Sequence, residues 1–115
     1  EVFPRTRAEL RLFRGVSFAA GIGEEIYYRG FLLWYLAPHL PLPGAIAVSS
    51  VLFGLAHVMH GSQATLRSTL MGAVLAGLYV LSGSLWASML LHTAVDLSSG
   101  ETGAAAFADS GSVAA

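Results

Sequence analysis

Residues 68–95 read STLMGAVLAGLYVLSGSLWASMLLHTAV, a long apolar stretch without a single Asp, Glu, Lys or Arg. Residues 30–66 lack the same four residue types. Uncharged apolar stretches of this length are typical of segments that cross a lipid bilayer, where a helix needs about 20 mostly apolar residues. The two stretches therefore predict an all-α membrane protein.

The composition of the whole chain supports this prediction and excludes several other classes. Of the 115 residues, 55% are hydrophobic and 11% are charged, whereas a soluble domain carries about 25% charged residues. High hydrophobicity argues against disorder, and a net charge of −1 argues against a nucleic-acid partner. Because the chain contains no cysteine, it has neither disulfides nor thiolate metal ligands. Its length allows one domain.

Turn residues divide the apolar region into four predicted transmembrane helices. The proline-rich segment 38–43 cannot continue a helix. Gly83 ends another helix, and Ser84 is a suitable N-cap for the next. The predicted helices cover residues 15–37, 44–60, 67–81 and 85–97. The sequence thus predicts a polytopic membrane helix bundle.

The arginines predict the orientation of this bundle. Four of the six precede the first predicted helix, at positions 5, 7, 11 and 14, and Arg67 lies near the loop between the second and third helices. With four spans, these five arginines fall on one side of the membrane, which the positive-inside rule makes cytoplasmic. The expected protein is a multi-pass protein of the cell membrane with a cytoplasmic N-terminus.

The chain is predicted to have three parts. Residues 1–14 form a basic juxtamembrane segment, with a short helix over 4–14 that has Pro4 in its first turn. Residues 15–99 form the membrane core. Residues 100–115 lack useful periodicity and are expected to be a mobile C-terminal tail.

Ionisable residues inside predicted membrane helices are costly and by default indicate function. This chain has six such residues: Glu24, Glu25, Arg29, His57, His92 and Asp96. The depth of each residue in the membrane can be counted along its predicted helix at about 1.5 Å per residue. By this count, the six residues lie in one layer of the membrane roughly 10 Å thick, although they come from helices that are separate in sequence. The sequence therefore predicts one polar site inside the bundle.

Spacing along each helix refines this site. Glu25 and Arg29 are four residues apart and can pair on one helix face. Glu24 is rotated by about 100° from Glu25, which leaves it free to face a cavity. His92 and Asp96 are also four residues apart. Carboxylates and imidazoles in this combination suit activation of water and stabilisation of a tetrahedral intermediate.

Three short motifs in the same region resemble those of a known family. Residues 24–31 read EEIYYRGF, residues 53–57 read FGLAH and residues 92–96 read HTAVD. They are similar to the EExxxR, FxxxH and HxxxN or HxxxD motifs of the CPBP family of CAAX-processing and bacteriocin-processing intramembrane proteases, also called the Abi family. The resemblance covers residues 15–98, the family's catalytic core. Members usually have extra helices before this core, so the chain is expected to be a piece of a longer protein.

The resemblance implies an endopeptidase that uses glutamate-activated water on membrane-associated or CAAX-like substrates. It implies that Glu24 is the general base and that His57 holds and polarises the attacking water. His92 and Asp96 would support the oxyanion or position the substrate carbonyl. An ionised Asp96 can only accept hydrogen bonds, so this residue would either act protonated or orient His92.

The resemblance also implies supporting residues and partners. Glu25 and Arg29 would brace the site, and Phe53, four positions before His57, would be a further supporting residue. The expected partners are a peptide or protein substrate in or at the membrane and the lipid bilayer itself.

Two alternatives remain open. A zinc-dependent protease could use His57, His92 and Glu24 as its three ligands, although the HExxH motif is absent; the favoured scheme has no cofactor. A non-catalytic immunity protein or a proton-coupled transporter would also use intramembrane acids and histidines, although the paired repeats of transporters are not visible.

Overall fold

The computed structural model describes residues 3–110, and within this range the chain is entirely helical. A π-helical turn, here called the π segment, follows the first α-helix, and a short 3₁₀ turn precedes the fourth. The elements in order are α1 (Arg7–Glu25), the π segment (Ile26–Leu32), α2 (Leu33–Leu36), α3 (Leu42–Leu55), the 3₁₀ turn (Val58–His60), α4 (Ser62–Ser82) and α5 (Leu85–Asp109). The all-α prediction is confirmed.

The basic segment and the first predicted span form one continuous helix. Thr6 caps α1 through a reciprocal capping box with Glu9, which satisfies free backbone N–H groups at the helix start. Pro4 lies before this cap and not in the first turn. The prediction of a separate helix over 4–14 is therefore wrong, because Gly15 continues the helix and does not break it.

The π segment begins directly after the two adjacent glutamates. Its backbone hydrogen bonds join residues five positions apart. Such turns are rare in proteins overall, but those that occur often lie at functional sites. The wider turn changes the angular positions of the side chains that follow Glu25. The sequence predicted a regular helix over residues 15–37 and did not predict the π segment.

Helix ends differ clearly from the predictions at two further places, the end of α3 and the start of α4. α3 ends at Leu55, so His57 lies in the turn beyond this helix and not within it. α4 begins at Ser62, earlier than predicted, and ends at Ser82; the C-cap is Gly83, whose φ of 68° is the left-handed conformation that glycine favours. Ser84 accepts a hydrogen bond from the Trp86 backbone and confirms the predicted N-cap of α5.

α5 is much longer than predicted. It continues to Asp109 and so includes residues 100–109, which were assigned to the tail. Gly100 and Gly103 are buried against Phe13 and Phe3, which anchors this part of the helix to the N-terminal region. The predicted helix end at residue 97 is wrong. Of the predicted mobile tail, residues 111–115 lie outside the described residues.

Packing places the helices in two pairs that share one polar interior. α1 packs mainly against α5 and α3 against α4, and α4 also contacts α5. Leu33, Ala45 and Ala76 form a small apolar cluster. The buried polar residues outnumber this cluster: Ser17, Glu25, Arg29, Ser49, Ser50, Ser88, His92 and Thr93.

One helix in the described part of the chain, Ser62–Ser82, has both the length and the apolar composition needed to cross a membrane. Leu42–Leu55 is apolar but shorter. The arrangement with four membrane spans stays a prediction.

Candidate active site

The centre of the candidate site is a fully buried ion pair. Arg29 in the π segment donates from Nη1 to Oε1 of Glu25 at 3.0 Å, and both side chains are 0% exposed. Nη2 of the same guanidinium donates to the carbonyl oxygen of Gly72 in α4 at 2.8 Å. The pairing predicted from the four-residue spacing is present, and Arg29 also connects the first helix to α4.

The imidazole of His92 is fixed by the same carboxylate. Its Nδ1 lies 2.8 Å from Oε1 of Glu25, and the residue is 3% exposed. Because an ionised carboxylate only accepts hydrogen bonds, this geometry assigns the Nδ1 proton to His92. The other ring nitrogen, Nε2, is consequently directed away from the buried ion pair.

Two further carboxylates lie near Nε2 of His92. Oε2 of Glu24 and Oδ2 of Asp96 are each 3.5 Å from this nitrogen, and each of these acidic side chains is 35% exposed. Oε2 of Glu24 is buried and has no hydrogen-bond partner among residues 3–110. Of the two adjacent glutamates, Glu24 is therefore the accessible one, while Glu25 occupies the position that orients His92.

Phe53 joins the two histidines of the site. Its ring centroid lies 4.9 Å from that of His57 and 5.5 Å from that of His92, and the guanidinium carbon of Arg29 lies 4.7 Å from its centre. Nδ1 of His57 is 2.8 Å from the backbone oxygen of Phe53, which as a carbonyl accepts a proton from this nitrogen. Nε2 of His57 is thereby left as the free position of that ring.

A cavity of about 250 Å³ opens at this point and is lined by His57, His92 and Asp96. Glu24 is not among its lining residues, but it lies within electrostatic range of the same three side chains. The structure thus brings together the residues that were predicted to meet from three separate helices.

The zinc alternative requires three ligands around one point. Among residues 3–110, no group of three or more His, Asp or Glu side chains is arranged to hold a metal ion. Nδ1 of His92 is also engaged by Glu25, which leaves only Nε2 as a donor position on that ring. The geometry therefore shows no ligand set made of His57, His92 and Glu24.

Sequence reasoning missed two contacts in this site. The hydrogen bond between Glu25 and His92 joins residues 67 positions apart, and spacing along one helix cannot reveal it. The role of Gly72 as the acceptor for Arg29 was also missed. The sequence signal for Gly72 is that it and Ala76 are small residues four positions apart, a pattern typical of close helix contacts in membranes.

Comparison with known proteins agrees with this geometry. Searches of curated proteins and of solved structures give no significant match. The family model described as type II CAAX prenyl endopeptidase Rce1-like matches residues 7–98, a range that includes all three motifs. The resemblance to CAAX-processing proteases of the CPBP type is confirmed, and the chain belongs to this family of membrane peptidases.

Proposed function

We propose that the protein is an intramembrane endopeptidase that hydrolyses membrane-associated, CAAX-like substrates with a water molecule activated by Glu24. One observation carries the proposal. The imidazole of His92, held through Nδ1 by buried Glu25, directs Nε2 toward Glu24 and Asp96 beside a cavity that His57 also lines. A base, two imidazoles and a second carboxylate thus converge on one small space.

Glu24 is the proposed general base. It accepts a proton from water as the water oxygen attacks the scissile carbonyl carbon, which gives a tetrahedral intermediate with a negatively charged oxygen. When the intermediate collapses, the C–N bond breaks and Glu24 returns the proton to the leaving amine. Glu25 cannot do this, because its Oε1 is shared by Arg29 and His92 and its side chain is fully buried.

His57 and His92 are proposed to act on the water and on the oxyanion, respectively. Nδ1 of His57 is held by the Phe53 carbonyl, so its Nε2 is available to accept a hydrogen bond from water. Nε2 of His92 donates to the oxyanion when this ring is doubly protonated. Arg29 and Glu25 act as positioning residues that fix the ring of His92.

Asp96 is proposed to position the substrate carbonyl from the cavity wall. A protonated Asp96 donates to the oxyanion together with His92, as the asparagine found at this position in the family motif would. The orienting role considered for it falls to Glu25, which engages Nδ1.

We further propose the four-span membrane topology with a cytoplasmic N-terminus. Its support is the distribution of residue types: the buried residues include a charged pair and several polar side chains, while large apolar side chains such as Leu81, Trp86 and Leu90 are 70–89% exposed. Soluble proteins bury such residues, but lipid solvates them.

Because the chain has no cysteine, His39→Cys and Gln63→Cys would report topology by impermeant thiol labelling. Labelling from opposite sides is expected, and labelling from the same side would contradict the four-span arrangement.

We propose that catalysis needs no metal. The test is cleavage of a farnesylated CAAX peptide by protein dialysed against a strong chelator, with product masses and metal content measured together. Cleavage between the prenylated cysteine and the following residue is expected at far below one metal per chain. Loss of activity on chelation, with restoration by zinc alone, would replace the glutamate scheme with the zinc alternative.

A further inference from the structure

Arg67 is a cation at the wall of the candidate active site, and no residue within 3–110 pairs with it as an anion. It lies in the second turn of α4, is exposed, and lines the cavity of about 250 Å³ together with His57 and His92. Within residues 3–110 its guanidinium makes no ion pair or hydrogen bond, whereas Arg14 pairs with Glu101 and Arg29 with Glu25. It is the one arginine among the described residues that line this cavity.

A second cavity, of about 680 Å³, meets the first beside Arg67. Phe3, Arg67, Val95 and Ser99 line both cavities. The larger one continues along α5 past small residues spaced by four positions: Ala94, Ser98, Thr102 and Ala106. Arg67 thus lies where an open groove along α5 joins the small cavity that holds the reacting groups.

We propose that Arg67 binds the free C-terminal carboxylate of the substrate and so selects chains that end close to the scissile bond. This inference rests on the proposed peptidase function and adds a specificity-determining residue to it. A CAAX sequence is by definition the end of a chain, so its terminal carboxylate lies three residues beyond the prenylated cysteine. A planar guanidinium fits a carboxylate through two parallel hydrogen bonds and stays charged at all working pH values.

The charges around the cavity explain why such a cation is needed. Glu24, Glu25 and Asp96 place three carboxyl groups at the site, and the buried Arg29 is already engaged by one of them. In the proposed mechanism Glu24 is an ionised base, and its negative charge would repel a negatively charged substrate end unless a cation held that end at a distance. Arg67 supplies that cation on another wall of the same cavity.

The position of Arg67 in its helix fits a charged ligand. α4 begins at Ser62, and in the proposed topology its first turns lie at the cytoplasmic membrane surface. A carboxylate is costly at the bilayer centre but not at its surface.

The deciding experiment measures binding, so that it does not depend on turnover. Glu24→Gln protein in detergent is titrated calorimetrically with a farnesylated CAAX peptide that has either a free carboxylate or a C-terminal amide. We expect the acid to bind about 10- to 100-fold more tightly than the amide, the range for one charge-assisted hydrogen-bonded contact. The same titrations are made with double variants that combine Glu24→Gln with Arg67→Gln, with Arg67→Lys or, as the matched control, with Arg11→Gln.

Arg67→Gln should bind acid and amide equally, and Arg67→Lys should keep part of the preference because it retains the charge without the planar geometry. Arg11 is exposed on α1 and lines neither cavity, so Arg11→Gln should keep the full preference. No preference in the parent protein, or an undiminished one in Arg67→Gln, would overturn the proposal. Thermal melting of each variant shows whether it is folded. Failure of the peptidase proposal would appear separately, as absence of cleavage by the wild-type protein.

Discussion

Arg29 is the residue on which the polar interior most depends. Its guanidinium is 0% exposed and donates to Glu25 and to the backbone of Gly72, which lies 43 positions away in the sequence. A buried charge of this kind is tolerated only because its partners are in place. Removing it would leave the Glu25 carboxylate buried with His92 as its one remaining partner among residues 3–110.

Arg29→Ala is therefore expected to lower the free energy of unfolding by about 3–5 kcal/mol, the loss typical of breaking a buried pair from one side. Unfolding in detergent, followed by circular dichroism, measures this change. Arg11→Ala, at an exposed position on α1, is the control and should unfold like the wild type. An Arg29→Ala protein with unchanged unfolding and no activity would show that Arg29 acts on substrate and not as a brace.

The candidate site could be predicted from the sequence where a contact lies within one helix. Glu25 and Arg29 are four positions apart, a spacing that predicts pairing in a regular helix, and the pair is present although Arg29 lies in the π segment. The contact of Glu25 with His92 could not be predicted, because it depends on how α1 packs against α5. The sequence offered only Asp96 as a residue that could orient His92, and the contact with Glu25 was missed for this reason.

At the scale of elements, α3 and α4 depend on a close approach at Gly54. A Cβ atom at this position would lie 2.8 Å from the backbone oxygen of Thr65 and against the side chain of Thr69. Backbone atoms cannot move aside as the end of a flexible side chain can. The two helices must therefore separate if Gly54 gains a side chain, and His57 lies just beyond the end of α3.

Gly54→Ala is expected to destabilise the fold by about 1–3 kcal/mol through overpacking and to reduce cleavage by displacing His57. Gly77→Ala is the matched control in α4, because a Cβ there meets no atom within 4 Å. It should be neutral or stabilise by up to about 1 kcal/mol through helix propensity. Equal unfolding midpoints for the two variants would contradict the close-packing account.

The elements themselves were predictable where local chemistry sets their ends. The proline-rich segment 38–43 and the pair Gly83 and Ser84 have fixed backbone preferences, and both fall at helix boundaries in the structure. The sequence predicted neither the π segment nor the extension of α5, and the extension depends on tertiary packing. Gly100 and Gly103 looked like tail residues in the sequence, but they are where Phe13 and Phe3 pack on α5.

At the scale of the whole molecule, the site exists only when several helices assemble. Glu24 comes from α1, His57 from the turn after α3, and His92 and Asp96 from α5. Any substitution that loosens the helix packing would move these groups apart. It would lower the cleavage rate even if it removed no catalytic group. A test of their chemical roles must for this reason separate activity from folding in the same sample.

The most direct test of the account is the rate of peptide cleavage by Glu24→Gln and His57→Ala proteins whose thermal unfolding matches that of the wild type. Both side chains are partly exposed, so the fold should survive each change. The account predicts that kcat falls by about 10²–10⁴-fold in each variant, as expected when a general base or the group that holds its water is lost. Activity within about tenfold of wild type in either folded variant would contradict the assigned roles.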